Sequence, residues 1–492
     1  MDESTTTVWP PREADALQAA SRDRLRTRLV VAAPVLFSLL LGAVVHARVS
    51  MAMPVADAHF YDVTGAALVG QNTDPAFGPH WALNGVADRG LYPALVGAVY
   101  GLLGESRPGA VGWLQALVMV PLTTYLIYVA GREAFSRRIG LVSAWAFALW
   151  LPAQWHTLWL LTETLTNLVM ALALAMLAAL LARRNKAAAF LCGVSFGIVS
   201  LAHPAYQALP VIVLLALLVH FLVYERKLLR LVFYVTLGVS AVQIPHLVAV
   251  QAVPLPSLGQ GGYAHGGGGG WTFYVSSRVA TDFVPVPDDY RVSGLSAQGH
   301  LVRVGRLIDR GEVHVEPHLL AIIRKKLTID DPVRQALTDS DYYKAGFQNL
   351  LDHPGKWPQK IEGNAGRLFL LPDRLQFYRD APLASGWRKT TWPFYKRDNL
   401  TKSTWFRTPW RPLSGLLLAC VISGLLFVLL RRRDRVVLFV PLVAQTAILM
   451  ALLVEWRYVV PLWSSMFVLA AIGTLGWLEG RSRTARRDRS VA

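Results

Sequence analysis

Cysteine is nearly absent from this chain. There are two in 492 residues, Cys192 and Cys420, and each lies inside an apolar block. That scarcity excludes a disulfide framework and a thiolate metal centre. Charge is scarce as well: 16% of residues are charged, against about 25% in soluble domains. Acidic residues are the rarer sign, 32 Asp and Glu against 49 Lys and Arg, for a formal net charge of +17. In a soluble chain such an excess points to nucleic acid. No nucleic-acid motif accompanies it here, so nucleic acid is set aside as a partner. The chain also lacks an internal repeat. Its one glycine run, "GQGGYAHGGGGGW" at 259–271, lacks the strand, Lys and Ser/Thr of a P-loop.

What is present is apolar sequence, 53% of residues, gathered in blocks rather than alternating with polar positions. The clear blocks are 29–49, 109–130, 139–152, 164–182, 187–202, 205–224, 229–252, 410–430, 436–454 and 458–478. Blocks near 20 residues match the thickness of a bilayer core. The first has no small-residue cleavage site before the next polar stretch and reads as a retained signal anchor. The fold expected is an all-α polytopic membrane protein with about ten spans.

Basic residues sit at the ends of these blocks, as in "RRRDR" at 431–435 and "RSRTARRDR" at 481–489. Charge placed there sets topology and contacts anionic membrane lipids. A further block, 91–104, is short and ends at Gly104-Glu105. If it does not cross, the stretches Arg22–Arg28, Arg132–Arg138, Arg183–Lys186, Arg226–Arg230 and Arg431–Arg435 all fall on one side. The positive-inside rule therefore makes 91–104 a re-entrant or interfacial helix in the first outer loop.

The organisation that follows starts with a cytoplasmic tail at 1–28 and a transmembrane core at 29–252, whose first outer loop covers 50–108. An outer segment at 253–407 comes next, with a Gly-rich linker at 259–270. C-terminal spans at 408–480 and a basic cytoplasmic tail at 481–492 complete the chain. The outer segment reads as mainly helical. "DSDYYKAGFQNLLDHP" takes Ser340 as N-cap and stops at His353-Pro354, and "GKWPQKIEGNAGRLFLLP" is a second helical candidate.

The candidate chemistry lies in the outer turns. Asp57 follows the first span, with Tyr61 one helical turn later among small and apolar residues. Desolvation there would raise the carboxylate's pKa and improve it as a base, whereas a helix cap or a solvated loop acid is the plainer reading. Asp62, Asp74 and Asp88 read as ordinary loop acids. Glu163, in "LLTETLTNLVMAL", stands at the mouth of a span, where an acid is a functional candidate by default or else snorkels to the headgroups. Asp57 and Glu163 could serve as base and orienter, or could hold a divalent cation between them. His203, in "SLAHPAYQALP", could donate to a phosphate or simply shape a turn before proline. Glu455, Arg457 and Tyr458 form "EWRY" in the last outer turn. Arginine suits bidentate phosphate binding, and an interfacial Glu–Arg pair with aromatic anchors is the alternative. Arg89, before the short block, is a weaker case of the same kind.

Taken in order, these segments resemble a family. "VADAHFYDVTGAALVG", "GLYPALVGAVYGLLGESRPGAVGWLQALVMVPLTTYLIYVAGREAFSRRIGLVSAWAFALWLPAQWHTLWLLTETL", "HPAYQALP", "YYKAGFQNLLDHPGKWPQK" and "EWRYVVPLW" are similar to the GT-C glycosyltransferases that use polyprenyl-phosphate sugars. That superfamily includes the protein O-mannosyltransferases and the lipid A aminoarabinose transferases. The resemblance implies a GT-C-like fold. It also implies inverting transfer of a sugar from a polyprenyl-phosphate donor to a lipid, glycan or protein hydroxyl on the outer face of the cell membrane. It puts Asp57 in the place of a catalytic base and Glu163 at the matching outer turn. Tyr61, Arg89, His203, Glu455, Arg457 and Tyr458 are left for substrate. The family's first loop often carries Asp-Glu, but here Ala58 follows Asp57. His203-Pro204 stands where Arg-Pro is common, and "GGGGWTFYVSSRVATDF" replaces a "GNN"-like stretch. No cofactor follows from the resemblance; a divalent cation between Asp57 and Glu163 is the one candidate, and the missing second acid counts against such a site.

Two other classes stay open on sequence alone. A transporter or lipid-linked-sugar flippase tends to carry midplane charges and repeats, which are few or missing here. A non-enzymatic assembly partner would use the outer segment for contact alone.

Overall fold

The computed structural model describes residues 11–48, 57–71, 90–252, 273–275, 277–278, 288, 292, 300–329, 337–369, 410–451 and 456–491. Among these the chain is helical throughout, with no strand. The Gly-rich linker at 259–270 lies outside the described residues.

Helix α1 (Pro11–Arg48) starts well before the apolar block, with proline in its first turn, where the missing N–H costs nothing. A short helix α2 (Asp57–Leu68) and helix α3 (Leu91–Leu103) form the first loop. Gly104 closes α3 in the left-handed conformation, φ 73°, a common helix stop. Helix α4 (Pro108–Ala134) contains a π turn at Gln115–Met119. Pro121 lies just beyond it; proline cannot donate to the preceding turn and crowds the carbonyl four residues back, so the ladder loosens there.

Next come α5 (Arg137–Ala148), α6 (Leu151–His156), α7 (Glu163–Arg183), α8 (Lys186–Ala202), α9 (Leu209–Tyr224) and α10 (Leu229–Ala252). The segment between α10 and the last membrane helices supplies α11 (Leu301–Asp309), α12 (Pro317–Leu327), α13 (Asp339–Asp352) and α14 (Lys356–Phe369). The chain closes with α15 (Trp410–Arg431), α16 (Val440–Ala451), a 3-10 turn at Trp456–Leu462, and α17 (Trp463–Val491).

Among the described residues six helices are long and apolar enough to cross a membrane: Arg28–Arg48, Pro108–Ala134, Glu163–Arg183, Arg226–Ala249, Pro412–Arg431 and Tyr458–Trp477. Shorter apolar helices are Leu91–Leu103, Lys186–Ala202 and Leu209–Tyr224. The chain is a multi-pass membrane protein. Its lateral faces fit that reading, because Leu36, Leu40, Phe233, Leu247, Leu416 and Leu430 are all exposed, as lipid-facing side chains are. The bundle core runs through α4, α5, α7, α8, α9, α16 and α17, with Leu174, Leu177, Phe196, Leu217, Trp463 and Phe467 buried in it.

Three sequence boundaries move. The block 139–152 is not one helix: α5 ends at Ala148 and α6 begins at Leu151. Pro152 has no N–H to give the Ala148 carbonyl four residues back and would crowd it, so the first helix cannot run through, and Trp150 takes a non-helical ψ of 86°. The block 205–224 becomes helical only at Leu209, after a 3-10 turn at Pro204–Tyr206. The N-cap of α13 is Thr338, not Ser340. Thr338 and Asp341 form a reciprocal capping box, which satisfies two end groups at once.

Candidate functional site

The first loop is held by close approach at glycines. A Cβ on Gly65 of α2 would sit 2.5 Å from Val96 Cγ1 of α3, so the two helices touch backbone to side chain. Gly90, at φ 77°, opens α3 against the end of α8, where an added Cβ would lie 1.8 Å from the Leu201 carbonyl oxygen. Only glycine tolerates both that backbone and that contact. Ala58, Tyr61, Ala66, Tyr92, Val96 and Tyr100 pack there with Leu160 and Leu161 from the turn before α7.

Asp57 is the first residue of α2, so its backbone is placed by that helix; its side chain lies outside the described residues. Tyr61 is buried and meets the Tyr92 ring edge-on, centroids 5.1 Å apart. Tyr92 donates to Gln115 Oε1 at 3.4 Å, at the head of the π turn. Gln115 Nε2 in turn donates to the Trp159 carbonyl at 3.1 Å. Asp62 is not an ordinary loop acid. The Tyr100 hydroxyl donates to its Oδ1 at 2.5 Å. Burial pushes the Asp62 carboxyl above its usual pKa, and the Tyr100 bond and His59 pull part of that back.

Glu163 opens α7 and is buried, 1% exposed, so it does not snorkel into water. A carboxylate at the first position of a 21-residue helix faces the positive end of the helix dipole. That offsets part of the several kcal/mol that burying an ion costs. Its charge acts on the hydroxyls of both Tyr92 and Tyr206. The neighbouring turn is polar and buried as a whole: Gln154, His156, Thr157, Thr162 and Thr164 are all buried. Gln154 donates to the Ser38 carbonyl of α1 at 2.9 Å, and His46 bonds Thr157 Oγ1 at 2.8 Å. Irregular backbone at such depth survives only where protein groups satisfy it.

The turn at 203–206 and the turn at Trp456–Leu462 meet on Tyr206. Its hydroxyl donates to the Tyr458 carbonyl at 3.2 Å, and the His203 ring stands edge-on to both tyrosines, each centroid 5.7 Å away. The Ala205 N–H donates to His203 Nδ1 at 3.1 Å, which leaves the proton of the neutral ring on Nε2. Gln445 of α16 donates to the Ala205 carbonyl at 2.8 Å and fixes this turn to the C-terminal helices.

The structure therefore connects Tyr61, Glu163, His203 and Tyr458 through Tyr92 and Tyr206. Arg89 and Glu455 lie outside the described residues. Arg457 is placed by the 456–462 turn beside Tyr458, with its side chain outside them. Tyr92, Gln115, His156 and Tyr206 are the members that sequence reading passes over, since aromatics and amides inside apolar helices read as packing. The signal available for His156 was its place in "QWHTLWLLTETL", seven residues before Glu163. Among the described residues no three His, Cys, Asp or Glu side chains gather in a way that could hold a metal ion.

No family model matches the chain, and no curated protein matches it. Among solved structures it is similar to the apo oligosaccharyltransferase of Archaeoglobus fulgidus, with TM-score 0.49 and 13% identity, over 94% of this chain and 51% of that one. It is similar to AglB of the same organism in complex with an inhibitory peptide and a dolichol-phosphate, with TM-score 0.47, 14% identity, and coverage of 94% and 51%. It is also similar to ArnT from Cupriavidus metallidurans bound to undecaprenyl phosphate, with TM-score 0.38, 15% identity, and coverage of 92% and 77%. The chain spans about half the length of the oligosaccharyltransferase.

Proposed function

We propose that this protein is a GT-C-type membrane glycosyltransferase. It moves a sugar, hexose or pentose, from a polyprenyl-phosphate carrier to a hydroxyl of a lipid, glycan or protein acceptor. The reading includes ten crossings of the cell membrane, cytoplasmic termini, and a site on the extracytoplasmic side. One observation supports it above the rest: segments distant in sequence, 57–71 with 90–103, 154–163, 203–206 and 456–462, converge around the buried Glu163. A polar site built from several turns, enclosed by apolar helices and bordered by lipid-facing surface, suits a substrate with a charged head and a hydrocarbon tail.

The chemistry can be written with this chain's own residues. An acceptor hydroxyl attacks the anomeric carbon as Asp57 takes its proton. The carbon–oxygen bond to phosphate breaks, and polyprenyl phosphate leaves on the opposite face with the electron pair. Arg457 stabilises the growing negative charge, assisted by Nε2–H of His203 and by Arg89. Positioned donors of this kind are often the largest catalytic contribution. Glu163, fixed at the start of α7, orients the first loop and the acceptor through Tyr92 and Tyr61. Glu455 and Tyr458 hold Arg457 in the last outer turn. Asp57 and Glu163 remain the pair that could share a divalent cation, and no step above is routed through one.

The direct test is the fate of a labelled polyprenyl-phosphate sugar with the purified protein. Consumption of the label, with polyprenyl phosphate released, is expected. A flippase would move the label across a vesicle membrane and leave it chemically intact, and a scaffold would do neither. Either of those outcomes overturns the proposal.

A further inference from the structure

Helices α11 to α13 share one small core. Tyr342 and Ala345 of α13 pack there with Leu301 and Val304 of α11 and Leu319 and Ile323 of α12. A second apolar face of α13 takes no part in it. Tyr343, Phe347 and Leu351 recur at four-residue intervals and so line one side of the helix. They are 44%, 54% and 61% exposed, rising toward the C-terminal end. Ile361 of α14 is exposed as well, one turn beyond Trp357, whose indole N–H donates to the Leu350 carbonyl of α13 at 3.2 Å. Single exposed apolar side chains are ordinary, whereas a continuous stripe marks a contact surface.

The connections of α14 show which way this stripe is turned. Asn364 donates from Nδ2 to the Met450 carbonyl at 2.9 Å, in the last turn of α16, where carbonyls have no partner within the helix. The same helix packs against the 456–462 turn, where the span Tyr458–Trp477 begins, and touches α15. Helix α14 therefore sits where the last helices leave the membrane. Lys360 lies one turn before Asn364 and on the same face. Its Nζ stands 5.5 Å from the centroid of the Phe273 ring. That ring packs on Tyr343 and Phe347, with centroids 5.6 and 5.7 Å away. The stripe of α13 is thus on the side that α14 turns to the bundle. At about 1.5 Å per residue, Trp357 is about 10 Å along α14 from Asn364, which keeps the end of α13 close to the headgroup layer. The span that α14 touches carries the exposed, lipid-facing Leu413 and Leu416.

We propose that α13 is an interfacial helix whose Tyr343–Phe347–Leu351 face rests in the lipid surface on the side of the membrane where α16 ends. It enters by its C-terminal half, so exposure rises toward Leu351 and Ser340, in the first turn, stays in water. Aromatic rings suit the headgroup level, and amphipathic helices there bury their apolar face about 5–10 Å deep. Lys344, Gln348 and Asp352, all exposed, keep the adjoining face polar. The partner is the bilayer itself, and the inference stands apart from the transferase reading.

The experiment uses the full chain in nanodiscs, with Cys192 and Cys420 replaced by alanine. Nitroxide labels on Phe347→Cys and Leu351→Cys are compared with labels on Ser340→Cys and on Arg303→Cys of α11. Collision rates are measured with oxygen, which partitions into lipid, and with a water-soluble nickel chelate. Labels at 347 and 351 should favour oxygen severalfold, 351 the more strongly, and labels at 340 and 303 should favour nickel. If 347 and 351 favour nickel, the stripe is in water and the proposal fails. If they reach neither, protein covers the stripe, either residues 370–409 of the same chain or another molecule, and the proposal fails too. A photoreactive phospholipid, with its diazirine near the glycerol, gives a second measurement on the unsubstituted chain and decides alone should a labelled variant not fold. It should mark the tryptic peptide 345–356, which holds Phe347 and Leu351. Marks on the spans with none on that peptide would overturn the proposal.

Discussion

The first loop works only if α2 is held at a fixed angle, because Asp57 and Tyr61 both ride on it. The Asp62–Tyr100 bond, 2.5 Å long and half-buried, is the polar link that fixes α2 to α3. Tyr100→Phe keeps the ring, which is fully buried, and removes only the donor. A hydrogen bond to a charged group contributes about 1.5–3 kcal/mol, and one between neutral groups about 0.5–1.5 kcal/mol. The variant should therefore lose about 1.5–3 kcal/mol at neutral pH and about half of that once Asp62 is protonated. Burial raises the folded-state pKa of Asp62, so its ionisation works against the fold. That penalty is nil below the ordinary carboxylate range and grows as pH rises through the raised value. Without the Tyr100 donor the folded pKa rises further, so the variant's deficit must widen with increasing pH through this window. A double-mutant cycle of Tyr100→Phe with Asp62→Ala, followed by chemical unfolding in mixed micelles at several pH values, measures the coupling. A coupling below about 0.5 kcal/mol, or a deficit that does not change with pH, would refute the reasoning.

Three further outcomes are expected. Arg457→Ala should lower transfer about 10²- to 10³-fold, as loss of one oxyanion donor does, and Arg457→Lys should recover part of it; native turnover by the alanine variant would leave Arg457 as an interfacial anchor. In a chain whose Cys192 and Cys420 are replaced by alanine, Ser340→Cys should react with an impermeant thiol reagent in intact cells, and labelling only after lysis would reverse the topology. Gly90→Ala puts a Cβ 1.8 Å from the Leu201 oxygen at φ 77°. Its folded yield should fall sharply, and a normal yield would mean that α3 does not seat on the end of α8.

The position of Glu163 at the start of a span was legible in the sequence, but its burial was not, because an acid at a helix mouth can equally snorkel to the headgroups. The helical blocks were legible, since long runs without charge have few alternatives to helix in a membrane. The helices at 339–352 and 356–369 followed from apolar spacing and the stop at His353-Pro354. The cap of the first did not: "TDSD" offers both Thr338 and Ser340, and only the reciprocal bonds to Asp341 choose between them. The break after Ala148 is written in Pro152. Asp62 was not readable as a partnered acid, because Tyr100 lies 38 residues away in sequence and the bond depends on where α2 and α3 cross, at Gly65. Tyr92 and Tyr206 were hidden for a different reason. A tyrosine in an apolar stretch packs like phenylalanine, and only the third dimension shows both hydroxyls within reach of one buried charge.

The central claim is that a first-loop carboxylate takes the acceptor's proton, and Asp57→Asn tests it most directly. Asparagine keeps the size and shape but cannot accept that proton. Turnover of purified enzyme should fall by about 10²- to 10⁴-fold, while donor affinity, measured in parallel, stays near wild type because the lost interaction belongs to the transition state. Asp62→Asn should cost much less. Near-native turnover by Asp57→Asn with loss in Asp62→Asn would move the base to Asp62. Near-native turnover in both would contradict the account and leave Glu163 as the leading carboxylate.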